Sequence, residues 1–270
     1  MIHFKILTIF PELFPGPLSV SVIGDALKNK LWSFEAINIR DYAKDKHKSV
    51  DDTPYGGGAG MVMKADVIAS AIESHLETVA NPRFLPFSNS TSPHKSRVQI
   101  FQKVDLRHGH LFQNSKPSMK IIYLSPRGKV FNQKMAQELA QEKEIMVLCG
   151  RYEGVDQRVL DEFAIEEISI GDYVLSGGEI AAYVFIDAIL RNISGILGDD
   201  ESLKEESFSF GNILEYPHYT KPSEWRGCKI PEILLSGHHK KIAEWRKMKA
   251  MELTKKIRPD LLEKKPDEPK

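Results

Sequence analysis

The sequence is poor in cysteine: Cys149 and Cys228 are the only two in 270 residues, and they form no C-x-x-C pair. A zinc ribbon and a disulfide framework are thereby excluded, and a reducing cytoplasmic compartment fits best. Long hydrophobic runs are lacking too. No stretch reaches the roughly 18 to 20 apolar residues a membrane span requires, and the start Met1-Ile2-His3-Phe4-Lys5 has no charged region followed by an apolar segment and cleavage site. Neither membrane insertion nor secretion is expected. Net charge is absent, with 37 Lys and Arg against 37 Asp and Glu, so the chain carries no overall field. Familiar nucleotide signatures are missing as well. Gly56-Gly57-Gly58-Ala59-Gly60 runs into Met61 without the G-x-G-x-x-G spacing, and no G-x-x-x-x-G-K-[ST] occurs, which disfavours Rossmann dehydrogenases and P-loop enzymes. H-E-x-x-H is absent and His238-His239 has no spaced third ligand, so no metal centre is expected. A G-x-S-x-G elbow is also missing, which leaves a hydrolase without support.

What remains describes a sizeable core. Hydrophobic residues make up 41% of the chain and charged residues 27%, the profile of a water-soluble globular protein. Single cores stop growing near ~250 to 300 residues, so this length predicts one large domain with a smaller one attached. Short β-rich runs at Phe4–Phe10, Ala36–Arg40, Lys120–Leu124, Ile145–Cys149 and Ile165–Ile170 alternate with helical patterns. The helical patterns are Leu18–Lys30, Lys64–Leu76, Gln133–Glu142 behind an Asn132 cap, and the apolar Gly178–Ile193. This alternation predicts an α/β domain with a mainly parallel sheet covered by helices.

Local charge is uneven despite the neutral total. From Lys221 to Lys270 there are 14 Lys and Arg against 8 Asp and Glu, a basic tail that could face an anionic polymer. A solvated surface is the commoner meaning of such a segment taken alone. The periodicity predicts a helix over His239–Ile257, with Ile242, Trp245 and Met248 along one side and Lys240, Lys241, Lys247 and Lys249 elsewhere. Just before the tail, Asp199 to Glu206 holds five acids and one base with Gly195 and Gly198 upstream, which predicts a linker and domain boundary over about 196–208. From about 78 to 119 the chain carries Pro82, Pro86, Pro93 and Pro117, with strand character only at Val98–Val104. This long excursion has six Lys and Arg against one acid and could assist an RNA contact, although a surface loop is the simpler reading.

Ligands of parallel sheets collect at the carboxyl ends of strands, so the turns leaving the strands direct attention first. Three are punctuated by glycine: Ser125-Pro126-Arg127-Gly128, Gly150-Arg151-Tyr152-Glu153-Gly154, and Gly171-Asp172-Tyr173-Val174-Leu175-Ser176-Gly177-Gly178-Glu179. Glycine permits close backbone approach, and exposed N–H and C=O groups can read the polar edge of a purine while apolar side chains cover its faces. Any one such loop is commonly a tight turn; three on consecutive strands indicate a site for a small purine-bearing ligand. A further cluster, Asp51-Asp52-Thr53-Pro54-Tyr55-Gly56-Gly57-Gly58-Ala59-Gly60-Met61, packs acids, an aromatic and bare backbone together. It reads equally as a dock for a flat ring and as a hinge ahead of the helix near Lys64.

Five segments carry a family resemblance: Pro54–Met61 (PYGGGAGM), Tyr123–Pro126 (YLSP), Cys149–Val155 (CGRYEGV), Ile170–Glu179 (IGDYVLSGGE) and Pro217–Pro222 (PHYTKP). In this order they resemble the bacterial tRNA (guanine-N1)-methyltransferases of the TrmD type, over roughly residues 1–76 and 119–262. The resemblance implies a SPOUT-type parallel sheet with a deep trefoil knot, plus a smaller, mainly helical C-terminal domain. The implied division is a knotted domain over 1–195 that binds S-adenosylmethionine, a linker over 196–208 and a tRNA-binding domain over 209–270. It also implies a cytoplasmic homodimer with tRNA as partner and no membrane, and it leaves magnesium open as an accompanying ion.

By the same resemblance Tyr123, Leu124, Ser125, Pro126, Gly150, Tyr152, Glu153, Ile170, Gly171, Asp172, Tyr173, Val174, Leu175, Gly177 and Gly178 surround the cofactor. Asp51, Tyr55, Gly58, Ala59 and Gly60 are candidates for holding the substrate base. The implied reaction is methyl transfer to N1 of the guanosine that follows the anticodon. N1 carries a proton at neutral pH, so the site needs a carboxylate to remove it and a cation or N–H donor where charge develops toward O6. Arg191, in Ile189-Leu190-Arg191-Asn192-Ile193, matches the family arginine in the second role. Taken alone it is an arginine that favours the dipole at a helix end. Glu206, before Ser207-Phe208, stands where the family has an aspartate, and Glu205 beside it could substitute. The extra methylene puts the position of the base in question, and a homologue that binds S-adenosylmethionine and tRNA but has impaired catalysis is the alternative reading. Ala59 replaces a proline usual in the glycine cluster, and the 78–119 excursion exceeds typical members.

Overall fold

The alternating apolar runs build a five-stranded sheet in which every pairing is parallel. The computed structural model describes residues 1–76, 119–197, 205–209 and 211–262. The chain runs through β1 (Ile2–Thr8), α1 (Ser21–Lys28), β2 (Trp32–Asn38), β3 (Asp51–Asp52), β4 (Val62–Met63) and α2 (Ala65–His75). It continues with β5 (Lys120–Val130), α3 (Gln133–Leu139), β6 (Glu144–Leu148), α4 (Gln157–Glu162), β7 (Glu166–Ser169) and α5 (Gly178–Leu190). After these come β8 (Glu224–Trp225), β9 (Cys228–Lys229) and α6 (His239–Ile257). The strand expected over Val98–Val104, nearly all of the 78–119 excursion and the acidic run from 199 to 204 lie outside the described residues.

Strand order in the sheet is β2-β1-β6-β5-β7. Side chains alternate across it, so Leu7, Ile121, Tyr123, Met146 and Leu148 meet Val67, Ile68, Ala71 and Ile72 of α2 and Val159 and Leu160 of α4 in one buried cluster. Phe4, Ile6, Ile145 and Val147 have the opposite parity and are equally buried. Helix α5 packs on β5 and α3, and Phe185, Ile186, Ile189 and Leu190 are fully buried along it. Asn132 does cap α3, accepting from the Met135 amide at 2.9 Å, and Asp156 caps α4 in the same way through Arg158 at 3.0 Å.

Two elements differ from expectation in ways that matter for the site. The segment Ser125–Gly128 does not leave the sheet at Leu124. It loops out inside β5, and pairing with β7 resumes at Lys129, so that Leu124 and Lys129 both face Ile168. Pro126 has no N–H for a ladder bond, and a Cβ on Gly128 would lie 2.3 Å from the Glu167 carbonyl carbon, so both residues suit a bulge pressed against β7. The second is β2, which starts at Trp32, earlier than Ala36: as an edge strand its half-exposed residues Ser33 and Glu35 hide the apolar pattern.

Contacts divide the chain into two compact units, Met1–Arg191 and Asn192–Lys270. In the second unit α6 has the expected bounds, and Ile242 and Trp245 of its expected apolar side are half-buried, but the seam continues through other residues than expected. Met248 is exposed, whereas Ala250 and Thr254 are buried and Ile242 and Arg246 half-buried. Steps of four follow the helical surface more closely here than steps of three, and the small Ala250 and Thr254 admit close packing. Thr254 Oγ1 donates to the Ala250 carbonyl at 2.8 Å and accepts from the Leu214 amide at 2.9 Å.

Candidate functional site

The three glycine-punctuated loops converge on one cavity of about 310 Å³ in the first unit. Its lining includes Tyr123, Leu124, Ser125 and Pro126 from the β5 bulge, and Gly150, Tyr152 and Glu153 from the loop after β6. Ile170, Gly171, Tyr173, Val174, Leu175, Gly177 and Gly178 complete it from the loop after β7. Of the fifteen residues expected around a cofactor, only Asp172 is not on the wall; it is exposed on the same loop.

Bare backbone makes this wall possible. A Cβ on Gly150 would stand 2.6 Å from Tyr123 Cε2, and one on Gly178 would stand 2.8 Å from Cys149 Cα. The Gly178 amide donates to the Gly150 carbonyl at 2.9 Å, which ties the start of α5 to the end of β6. Ser169 Oγ donates to the Gly171 carbonyl at 3.1 Å, and Tyr173 Oη donates to the Ile170 carbonyl at 3.1 Å, so the third loop is braced from within. Burial pushes the Tyr123 phenol up, against the pull of Arg127 and with the help of Glu167, and the ring remains a neutral wall. Arg127 is itself held by Glu167, with Nη2 3.0 Å from Oε2.

At the cavity wall, where Arg151 is part of the lining, lies a charged pair that sequence reasoning did not single out. Glu179, on the first turn of α5, is 1% exposed. It accepts from Thr8 Oγ1 at 2.7 Å and from Arg151 Nε at 2.9 Å, with Arg151 Nη2 at 2.8 Å. Arg151 Nη1 reaches the Ser176 carbonyl at 3.1 Å, and its guanidinium lies 4.6 Å from the Phe10 ring centroid. One arginine thus ties the second loop to the third across a buried carboxylate. The available signal was an acid at the second position of a largely apolar helix. Burial, and then the Glu179 charge, push the Cys149 thiol well up, so it stays protonated and is not a nucleophile.

The glycine cluster meets this cavity at its rim. Asp51 sits in β3, paired antiparallel with Met63 of β4, while Tyr55 is fully exposed and Gly58 and Ala59 lie in the open loop between the strands. Gly60, at φ 91°, is the close approach: a Cβ there would fall 2.3 Å from Glu153 Oε1. The Glu153 amide donates to the Met61 carbonyl at 2.9 Å, and the Met63 amide to Gly154 at 2.9 Å, so cluster and second loop are stitched together.

Arg191 terminates α5, its amide donating to the Asp187 carbonyl at 3.1 Å. Burial raises the Asp187 carboxyl while the Arg191 charge opposes that rise. Glu206 belongs to the second unit and is half-buried. Beside it, the Glu205 carboxylate is taken by Arg246 at 2.8 Å and by the Tyr216 hydroxyl. A cleft of about 840 Å³ in this unit is lined by the Pro217–Pro222 segment with Tyr216, Trp245 and Arg246. Among the described residues no group of three or more His, Cys, Asp or Glu could hold a metal ion, and no helix is long and apolar enough to cross a membrane.

Comparison with known proteins adds the following. The family described as tRNA (Guanine-1)-methyltransferase TrmD matches residues 2–96 and 106–264. A tRNA (guanine-N(1)-)-methyltransferase of Rhodospirillum rubrum is 48% identical over 256 residues, which is 95% of this chain and 90% of the relative. Proteins of the same name from Wolbachia pipientis and Alkaliphilus oremlandii are 46% and 47% identical over 96% of this chain and 95% and 91% of their own lengths.

Proposed function

Because the chain belongs to the TrmD family of tRNA (guanine-1)-methyltransferases, we propose that it transfers a methyl group from S-adenosylmethionine to N1 of the guanosine that follows the anticodon. The observation that carries this reading is the convergence of the β5 bulge and the loops after β6 and β7, each bearing a family motif, on one cavity.

The cavity residues fit an adenosyl group. Gly150, Gly177 and Gly178 let the backbone of the wall pack closely around a purine-sized space, and Tyr123, Ile170 and Leu175 offer apolar cover for the faces of the ring. When bound, S-adenosylmethionine supplies an electrophilic methyl group on a positively charged sulfur. The protein's own part is to prepare the nucleophile. Glu206 removes the N1 proton, and Arg191 meets the negative charge that moves toward O6. Asp51, Tyr55, Gly58, Ala59 and Gly60 hold the guanine, a role supported by the contact of Gly60 with Glu153 on the cavity rim.

The remaining parts of the reading have their own supports. The loop after β7 returning against the end of β6 through Gly178 favours a deep trefoil knot within residues 1–195. Residues 196–208 are the linker, and the basic, aromatic-lined unit over 209–270 is the tRNA-binding part. Ile180 and Val184, one turn apart on α5 and exposed, give two copies an apolar face on which to pair. The enzyme acts in the cytoplasm, a reading supported by its two free cysteines. A homologue that only binds S-adenosylmethionine and tRNA is the less favoured reading, since a carboxylate is retained at position 206.

Methyl transfer from labelled S-adenosylmethionine to a tRNA transcript tests this reading. The product should form with guanosine after the anticodon and disappear when adenosine replaces it; equal labelling of both transcripts would refute it. The cavity assignment has a separate check. In Gly150→Ala the new methyl displaces the Tyr123 ring into the cavity. Overpacking of about 1 to 3 kcal/mol corresponds to affinity for S-adenosylhomocysteine weaker by roughly fivefold to 150-fold, read by titration calorimetry.

A further inference from the structure

We infer that Arg246 and Tyr216 are positioning residues for methyl transfer: by gripping the Glu205 carboxylate they set the backbone register from which Glu206 acts. The inference rests on the reading of Glu206 as the base. Arg246 Nη1 donates to Glu205 Oε2 at 2.8 Å, and the Tyr216 hydroxyl donates to the same oxygen. The guanidinium also lies over the Tyr216 ring, 4.8 Å from its centroid, so the two donors hold each other in place. This assigns Glu205 a partner within its own unit and leaves proton removal to its neighbour.

The other side of Glu206 is pinned as firmly. Ser207 Oγ accepts from the Glu215 amide at 3.1 Å, and the Phe208 amide donates to the Ile213 carbonyl at 2.8 Å. Leu214, between the acceptor Ile213 and the donor Glu215, is anchored through its amide to Thr254 of α6. Glu206 therefore lies between two attachments that both lead back to α6, one through Arg246 and one through Thr254. Phe208 holds φ at 72°, a conformation that a non-glycine residue keeps only where its surroundings impose it. The Arg246–Glu205 pair is itself half exposed, and such pairs add little to stability, so the geometry it imposes outweighs its energy. In this chain the grip has a specific use. Glu206 is longer than the aspartate it replaces, and a longer side chain reaches one proton reliably only from a fixed backbone.

The test compares Arg246→Met, Arg246→Lys, Tyr216→Phe and Glu205→Gln in the full-length protein by steady-state methyl transfer to tRNA. Arg246→Met should lower kcat on the order of tenfold to a hundredfold, the scale of a small misplacement of a reacting group. Affinity for S-adenosylhomocysteine should stay within about twofold, and any rise in KM for tRNA should stay well below the fall in kcat. Arg246→Lys should recover part of the loss, and Arg246→Met combined with Glu205→Gln should be no worse than the weaker single variant. Amide exchange over 205–209 should quicken in Arg246→Met and in Tyr216→Phe. If Arg246→Met fails to fold, Tyr216→Phe, which removes one oxygen, and Glu205→Gln carry the same comparison. Unchanged kcat, a loss confined to KM, or additive double-variant losses would each overturn the inference. Absence of methyl transfer by the unaltered chain would instead strike the functional reading, and this inference with it.

Discussion

Glu206→Gln is expected to abolish methylation of the target guanosine while S-adenosylhomocysteine binds as before. The amide preserves the shape and length of the side chain but cannot accept the N1 proton, and loss of a positioned general base typically costs about a hundredfold to ten-thousandfold in rate. Binding should survive because the cavity is built by the three loops of the first unit, whereas Glu206 belongs to the second. Glu205 is an unsuitable deputy, its carboxylate being engaged by Arg246 and Tyr216. Single-turnover transfer at saturating S-adenosylmethionine, paired with calorimetric binding of S-adenosylhomocysteine, checks both halves. Turnover within about threefold of the unaltered chain would remove Glu206 from the chemistry, since a loss that small amounts to under 1 kcal/mol of transition-state stabilisation.

The cavity was legible in the sequence because its wall is made of short contiguous segments. Glycine and proline mark where a backbone must bend or approach closely, and the three loops carry those marks at the ends of strands whose apolar runs are plain. The same marks misled at Ser125–Gly128. Pro126 and Gly128 read as a turn out of the sheet, yet the pairing of Lys129 and Val130 with β7 draws the chain back in. That pairing depends on a strand nearly forty residues later, which no local pattern contains. Helix α4, six residues long, is too short to establish a period. The seam of α6 was only partly legible for a related reason: Arg246 and Thr254 are polar, and nothing local marks them as inward until their partners, Glu205 and Leu214, are brought to them. The pairing of Arg151 with Glu179 joins residues on two different elements, so their charges could be seen in the motifs but not their meeting.

That pairing supports the prediction with the largest effect on stability. Glu179 is almost wholly buried, and three donor groups converge on its carboxylate: Thr8 Oγ1, Arg151 Nε and Arg151 Nη2. In Glu179→Ala the guanidinium retains its bond to the Ser176 carbonyl and its seat by the Phe10 ring, with its Nε close against Gly177, where a Cβ would come within 2.2 Å. The charge would then be mostly buried without its counterion, a condition that costs about 3 to 5 kcal/mol against total stabilities of about 5 to 15 kcal/mol. The melting temperature should fall by roughly 6 to 20 °C, at about 2 to 4 °C per kcal/mol for a domain of this size. Stability alone does not separate a structural pair from one that also shapes the site, but replacing both members does. Glu179→Leu with Arg151→Met exchanges the pair for apolar volume, and such exchanges are often neutral or stabilising. The double variant should therefore melt near the unaltered protein. It should still bind S-adenosylhomocysteine weakly, because the link from Arg151 Nη1 to the Ser176 carbonyl, which joins the loop after β6 to the loop after β7, is gone. Recovery of both melting temperature and affinity would reduce the pair to a packing device; recovery of melting temperature alone would identify Arg151 as the brace that holds two walls of the cavity together.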